Sequence, residues 1–231
     1  MSTQYESVKP ATLYPDHFRV VAAVSSVERK VWPRQPGVFI RAAKAVEADE
    51  AADADKPPRA LLSLELVAGQ FGLVPRWVKS ASDAKLRSTK LVNARSETVT
   101  TSSNFRDAWL AGQRCIVPMM AFMEDDWRSG KAVPTRIAKV DGKPMGVAGL
   151  WESWTGVEGE VIVSYTLLTV NANSHALMSR YQQPGNEKRM LAILNEGGYD
   201  AWLGARAEKA KEFMRAYPAN WLTANPVEKN R

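Results

Sequence analysis

The run from Val161 to Val170 constrains the fold most, because it is long and rich in β-branched side chains. Such side chains pack well on a pleated sheet and lose rotamer freedom in a helix, so this run predicts a strand. Shorter apolar runs of similar character precede it, at Phe71–Val74, Cys115–Val117, Thr135–Val140 and Met145–Leu150. Since helical segments do not alternate regularly with these runs, the sequence predicts an α+β protein with a mostly antiparallel sheet.

Three segments have the apolar spacing of helices instead. Residues Asn104–Ala111 and Asn173–Tyr181 are two of them. The third, Tyr199–Tyr217, carries apolar residues at compatible spacing and lysines elsewhere, which predicts a C-terminal helix over about 199–217. These helices are expected at the periphery of the sheet.

Two local patterns predict how strands are joined. The runs Val38–Ile40 and Leu61–Val67 flank an acidic, alanine-rich segment, residues 46–60, with too few apolar side chains to pack. We therefore expect a mobile loop at the tip of a hairpin. Asp141-Gly142, between two other strand-like runs, is a strong signal for a two-residue hairpin turn.

Composition limits the class of protein. The chain has 231 residues, 45% of them hydrophobic and 24% charged, which suits one globular domain over residues 1–231. No apolar leader or membrane-length run is present, so we expect a cytoplasmic protein without membrane contact. One cysteine, Cys115, and two histidines argue against a disulfide framework or a zinc site, and we expect neither metal nor cofactor. The net charge of +6 permits a polyanionic partner without proving one.

The stretch Leu91–Glu97 places Asn93, Arg95 and Glu97 at alternate positions. In an extended segment all three face one way, as a binding site or as an ordinary solvated strand face. Three other stretches also mix polar and apolar residues: Phe71–Trp77 (FGLVPRW), Arg114–Pro118 (RCIVP) with Glu124 after it, and Arg180–Met190. In the first of them, Arg76 and Trp77 together suit base stacking.

In this order, the stretches resemble those of the SRAP family, the SOS response-associated peptidases or abasic-site-processing proteins. Residues Asn93–Thr98 match the family's Asn-Ala-Arg-x-Glu-Thr pattern letter for letter. The resemblance covers roughly residues 1 to 204, and the ordered set is specific although each motif alone is weak. The remaining matches are Phe71–Trp77, Arg114–Pro118 with Glu124, Ala148–Glu152, Thr169–Asn173 and Lys188–Met190.

The resemblance implies a twisted, β-barrel-like fold with a positively charged groove for single-stranded DNA. In this family the initiator Met is removed, and the new N-terminal cysteine condenses with the aldehyde of an abasic site to form a thiazolidine. Carried over to this chain, Asn93 helps to hold the opened sugar and Glu124 serves as acid or base. The expected partner is single-stranded DNA with abasic sites, in the nucleoid if the source is bacterial. The residues expected to contact DNA are Pro36, Arg76, Trp77 and Arg95.

Two departures from the family pattern concern the chemistry. Ser2 stands where the family has its cysteine, and the family's histidine has no counterpart at the equivalent positions, Gln182 or Glu187. His175 is near in sequence, yet is not expected to replace it. A serine hydroxyl is far less acidic than a thiol, whose pKa is about 8.5, so a durable ring is not expected. The Ser2 amine, once Met1 is removed, is still able to form a reversible Schiff base.

Other interpretations stay open from the sequence. The chain is either an enzyme acting through Ser2, Asn93 and Glu124, or a DNA-binding module whose chemistry has decayed. An amidase with Ser2 as nucleophile is a further alternative. So is an engineered inactive version carrying Ser2 in place of a natural cysteine.

Overall fold

The computed structural model describes residues 2–21, 28–43 and 61–227; the predicted loop at 46–60 lies outside these residues. The strands of the described residues are β1 (Tyr5–Glu6), β2 (Lys30–Val31), β3 (Pro36–Ala42), β4 (Leu64–Phe71), β5 (Asn93–Arg95), β6 (Arg114–Met119), β7 (Ala121–Asp126), β8 (Val133–Lys139), β9 (Met145–Thr155), β10 (Val161–Asn171), β11 (Arg189–Leu191), β12 (Ile193–Leu194) and β13 (Leu222–Pro226). The α-helices are α1 (Leu13–Phe18), α2 (Ala81–Ser88), α3 (Arg106–Leu110), α4 (Tyr199–Leu203) and α5 (Ala207–Ala210).

Five strands close into a barrel. Strands β10, β4, β3, β6 and β9 are hydrogen-bonded in that order, and β9 pairs with β10 again. Only the β4–β10 pair in this ring is parallel. The β-branched run at 161–170 forms β10, which pairs with β9 from Val161↔Thr155 to Leu167↔Gly149. The predicted α+β class with a barrel-like, mostly antiparallel sheet is confirmed.

Aromatic rings fill the barrel near the parallel pair. Phe39, Phe71 and Tyr165 are fully buried, and the Tyr165 ring lies 5.5 Å from that of Phe39 and 5.6 Å from that of Phe71, centroid to centroid. The buried hydroxyls of Tyr5 and Tyr165 hydrogen-bond to each other at 2.5 Å. Paired hydroxyls remove the cost of burying two polar groups, so the rings contribute their full apolar area to the core.

A second sheet brings the start of the chain to the side of β7. Its strand order is β13-β8-β7-β1-β2. β1 pairs antiparallel with β7 through Tyr5↔Phe122, and the backbone N–H of Met123 donates to the Gln4 carbonyl at 3.1 Å. Gln4, the residue before β1, therefore also lies alongside β7.

One predicted hairpin is confirmed and the other is wrong. β3 and β4 pair antiparallel up to Ala42↔Leu64, as expected for strands that flank residues 46–60. Asp141-Gly142 does form a turn, with the Gly142 N–H donating to the Lys139 carbonyl at 3.1 Å. However, β8 before it pairs with β7 and β13, whereas β9 after it belongs to the barrel. The turn thus passes the chain between sheets, since both edges of β8 are already occupied.

The predicted helix over about 199–217 is wrong as a single helix. The segment breaks after α4 at Gly204, and Arg206 is extended before α5 begins. Its apolar residues still face the core, with Trp202 and Ala210 fully buried. Glycine is a poor helix former, and its position here ends α4.

The other two predicted helices fare differently. Asn104–Ala111 contains α3, as expected. Asn173–Tyr181 contains only a short 3₁₀ turn, Met178–Arg180. Here the His175 ring accepts from the backbone N–H groups of Leu177 and Met178 at 3.2 and 2.9 Å. A side chain that binds backbone donors in this way competes with helix formation.

The predicted strand Phe71–Val74 is also wrong, because β4 ends at Phe71. Gly72 adopts a φ of +112°, and a Cβ built there would lie 2.1 Å from the Ser88 carbonyl oxygen. The stretch Phe71–Trp77 therefore requires Gly72 for backbone reasons.

Gly72→Ala should lower the free energy of unfolding by about 2–4 kcal/mol, since it combines left-handed strain with overpacking against backbone. Urea denaturation measures this loss. The matched control is Gly130→Ala, where φ is +78° and nothing lies within 4 Å of the added Cβ. An equal loss in both variants would contradict the steric explanation.

Candidate functional site

A cleft of about 760 Å³ opens between the amino-terminal segment, β7 and the segment before β11. Its lining joins residues from distant parts of the sequence: Thr3, Gln4, Trp32, Arg95, Met123, Glu124, Asp125, Trp127, Pro134, Gln182, Gln183, Asn186, Glu187 and Arg189. Both the second sheet and the segments beside the barrel thus contribute to the lining, which includes residues of the sequence motifs at 93–97, 124 and 180–190.

Ser2 and Asn93 are in direct contact beside this cleft. The Asn93 side-chain amide donates to the Ser2 carbonyl at 2.7 Å, and Ser2 is 2% exposed. The Ser2 hydroxyl donates to the Gln4 carbonyl at 3.0 Å. Asn93 is presented by β5, which pairs parallel with β10 through Leu167↔Asn93. Its Oδ1 atom is buried and has no hydrogen-bond partner among the residues that the structure describes, so it is an available acceptor.

Glu124 supplies a titratable group on β7. It is 5% exposed, and burial raises its pKa to about 7, although a hydrogen bond with the Gln182 side chain acts in the opposite direction. Gln182 is itself fixed, since its Nε2 donates to the Arg189 carbonyl at 2.7 Å and its Oε1 accepts from the Arg189 N–H at 3.1 Å. A carboxyl with a pKa near neutrality is present in both protonation states at pH 7, as general acid–base catalysis requires.

Two arginines and two glutamates form a network at the other side of the cleft. Arg189 is 1% exposed and donates to both carboxylate oxygens of Glu97, at 3.0 and 2.8 Å, and to the Thr169 carbonyl at 2.8 Å. Arg189 also donates to Glu187 Oε1 at 2.9 Å, and Arg95 donates to Glu187 Oε2 at 2.6 Å. Burial opposes ionisation of Glu97, but its bonds to Arg189 hold its pKa below the usual range. Every charge in this network is paired with an opposite one.

The lining of the cleft is not the positively charged surface that the resemblance implied. It contains two arginines, Arg95 and Arg189, but also three carboxyl groups, those of Glu124, Asp125 and Glu187. The sequence motifs show that arginines are present, but they do not show that the guanidinium groups of Arg95 and Arg189 are each paired with a carboxylate. Two basic residues, Arg29 and Lys30, line another pocket together with Glu28, and that pocket shares Trp32 with the cleft.

Comparison with known proteins identifies the family. The model of the family described as SOS response associated peptidase (SRAP) matches residues 7–230. The chain belongs to the SRAP family. Within residues 2–21, 28–43 and 61–227, this SRAP chain contains neither a group of metal-ligating side chains nor a helix long and apolar enough to cross a membrane.

Relatives of this SRAP chain include abasic site processing protein YoqW of Bacillus subtilis, 32% identical over 162 residues that cover 68% of this chain and 67% of YoqW. Abasic site processing protein HMCES of Gallus gallus is 26% identical over 216 residues, covering 84% of this chain and 59% of HMCES. A crystal structure of a Bordetella bronchiseptica protein is 37% identical with a TM-score of 0.85, covering 98% of this chain and all of that one. A Bacteroides thetaiotaomicron structure, 20% identical with a TM-score of 0.77, shares the fold.

Three residues expected to contact DNA lie outside the cleft lining of this SRAP chain. Arg76 donates to the buried Glu152 at 2.9 Å and to Gln113 at 2.7 Å. Trp77 is partly exposed and donates from its indole nitrogen to the Ser103 carbonyl at 2.9 Å, with the Arg87 guanidinium 4.6 Å above its ring. Pro36 is exposed at the start of β3. Of the four residues, only Arg95 lines the cleft.

His175 is used elsewhere in the SRAP fold. Its Nδ1 accepts from two backbone N–H groups, so its Nε2 donates to the Tyr217 carbonyl at 2.7 Å. Both ring nitrogens therefore serve the connection between β10 and the C-terminal segment. As expected, His175 does not line the cleft; Gln182 and Glu187 do.

The cleft residues of this SRAP chain that sequence reasoning missed include Trp32, Trp127 and Arg189. Trp32 is 47% exposed, and it stands between Lys30 and Arg34 in a segment rich in proline. An aromatic residue between basic ones is a signal for nucleic-acid contact that the sequence did offer. Arg189 lies within the matched motif Lys188–Met190, which had been given no role.

Proposed function

We propose that this protein processes abasic sites in single-stranded DNA through the α-amine of Ser2, which becomes the first residue once Met1 is removed. The observation that carries the proposal is the contact of Ser2 with Asn93 beside a cleft that also holds Glu124. The names of the relatives YoqW and HMCES, both abasic site processing proteins, support the substrate class.

The chemistry begins with the Ser2 amine. Its nitrogen lone pair attacks the C1′ aldehyde of the opened sugar, and the carbinolamine that forms loses water to give an imine. With an α-amino pKa of about 7.7–8.0, roughly a tenth to a fifth of the amine is the free base at pH 7. Glu124, with its pKa near 7, is suited to donate the proton that leaves as part of the water molecule and to accept a proton in a later step.

The unpartnered Oδ1 of Asn93 is suited to accept a hydrogen bond from the sugar or from the nitrogen that attacks it. The imine also acidifies the C2′ protons. Transfer of one of them to a base breaks the C3′–oxygen bond and cleaves the strand with the phosphate on the leaving fragment. Because the Ser2 hydroxyl is a weak nucleophile, the adduct stays reversible.

A borohydride trapping experiment tests the proposal. An oligonucleotide with one abasic site is incubated with protein whose first residue is shown by intact mass to be Ser2. Reduction should then give a stable adduct on a denaturing gel, which is absent with the lesion-free oligonucleotide. Asn93→Ala should lower the trapped fraction about tenfold or more, since it removes a positioning contact to residue 2. The control Asn186→Ala, also in the cleft lining, should leave trapping unchanged.

Failure to trap an adduct would overturn the catalytic part of the proposal. A second function, a single-stranded-DNA-binding module without chemistry, would then be favoured by the absence of thiol and imidazole groups from the described cleft lining. Such a module binds intact and abasic strands equally, and its affinity falls steeply with salt.

A further inference from the structure

Glu187 occupies a specific place in the cleft. Its Oε1 accepts from Asn171 Nδ2 at 2.7 Å and from Arg189 Nη1 at 2.9 Å, while its Oε2 accepts from Arg95 Nη1 at 2.6 Å. The hydrogen bond from Asn171 and that from Arg189 lower the pKa of Glu187, so the carboxylate stays ionised at neutral pH. One carboxylate therefore bridges two arginines in the lining of a cleft proposed to take a polyanion.

The two arginines differ in how firmly they are held. The Arg189 side chain is 2% exposed and bound to Glu97 and Thr169 as well as Glu187. The Arg95 side chain is 49% exposed, and Glu187 is the one carboxylate that the described residues offer to its guanidinium. Arg95 is thus the cation that is able to exchange partners.

A carboxylate and a phosphate present similar oxygen geometry to a guanidinium, so they compete for it. If a phosphate took Arg95, Glu187 would keep its bonds from Asn171 and Arg189 and would not become an unpaired buried charge. The exchange would cost one solvent-exposed ion pair, a weak interaction.

We propose that Glu187 is an internal competitor for the DNA phosphate that Arg95 binds, and that it sets the affinity of this cleft for single strands. The inference rests on the proposed function, because it assumes a nucleic-acid ligand. Glu187 pairs with Arg95 in the free protein, and this pair separates when Arg95 binds a phosphate of an entering strand. The affinity of the cleft for lesion-free strands is consequently lower than it would be if Arg95 were not paired with Glu187.

Glu187→Gln tests this inference with the full chain and a fluorescent, lesion-free thymidine oligonucleotide at low ionic strength. The amide retains an oxygen for Asn171 and Arg189 but no longer attracts Arg95. Affinity should rise by about two- to fivefold, within the range expected for one exposed ion pair. In an Arg95→Gln background the same substitution should have no effect. Thermal melting checks that each variant is folded.

The matched control is Glu196→Gln, which removes the same charge from an exposed glutamate that pairs with Lys139 at 3.0 Å, outside the cleft. Unchanged affinity in Glu187→Gln would overturn the inference, as would equal tightening in both Arg95 backgrounds or equal tightening by the control. If the wild-type protein traps abasic DNA while Glu187→Gln changes nothing, only this inference fails. If the wild type binds no single strand at all, the proposed function fails with it.

Discussion

Ser2→Cys should convert the reversible adduct into a cross-link that survives heating without borohydride. The substitution restores a 1,2-aminothiol at a position already buried against Asn93. With a thiol pKa of about 8.5, enough thiolate forms near neutral pH to close a thiazolidine on the imine carbon. On a denaturing gel, most of the abasic oligonucleotide bound by the variant should migrate with the protein, whereas the wild type should release it.

Two controls isolate the role of residue 2. Ser2→Ala keeps the amine and should still be trapped by borohydride, because imine formation does not need the side chain. Ser7→Cys places a thiol at another buried serine near the start of the chain and should give no cross-link. Ser2→Cys that binds abasic DNA without linking to it would contradict the proposed approach of residue 2 to the sugar.

Glu124→Gln should reduce adduct formation by about 10²–10⁴-fold, the usual contribution of a positioned acid or base. Single-turnover trapping with borohydride measures the rate. In the wild type the rate should peak between about pH 7 and pH 8, because the Ser2 amine has to lose its proton while Glu124 has to keep the proton that leaves with the water. The variant should lose the decline on the alkaline side of this peak, which belongs to the ionisation of Glu124. A wild-type rate in the variant would show that Glu124 does not act as an acid or base in the reaction.

The same variant should be more stable than the wild type at pH 8. The pKa of Glu124 rises from 4.5 to about 7 on folding, so between these values the folded protein alone holds the proton. Stability therefore falls as pH rises through this window, by up to about 3 kcal/mol at 1.36 kcal/mol per pKa unit. Urea denaturation at pH 5 and pH 8 measures this. Glu124→Gln should show a smaller pH dependence, and an unchanged one would contradict the burial argument.

Much of the barrel was predictable from local patterns. The β-branched run that forms β10 and the apolar run Leu61–Val67 that leads into β4 carry their strand signal within a few residues. The break at Gly204 was missed because helical spacing continues on both sides of it. The Asp141-Gly142 turn was correct locally, but no local signal says which strands a turn separates.

The candidate site was likewise predictable only in part from the sequence. The family resemblance pointed to Ser2, Asn93 and Glu124; the fold brings Ser2 into contact with Asn93, and Glu124 lines the neighbouring cleft. The pairing of Arg95 with Glu187 could not be predicted, since it depends on a contact across 92 positions of the sequence. A motif records which residues are present, whereas charge complementarity arises only after folding.

Peptide mapping of the borohydride-reduced adduct by mass spectrometry tests the central claim most directly. The sugar remnant should be found on the α-nitrogen of Ser2, in the peptide that begins at that residue. Attachment to a lysine side chain, or an adduct formed equally well by protein that keeps Met1, would contradict it.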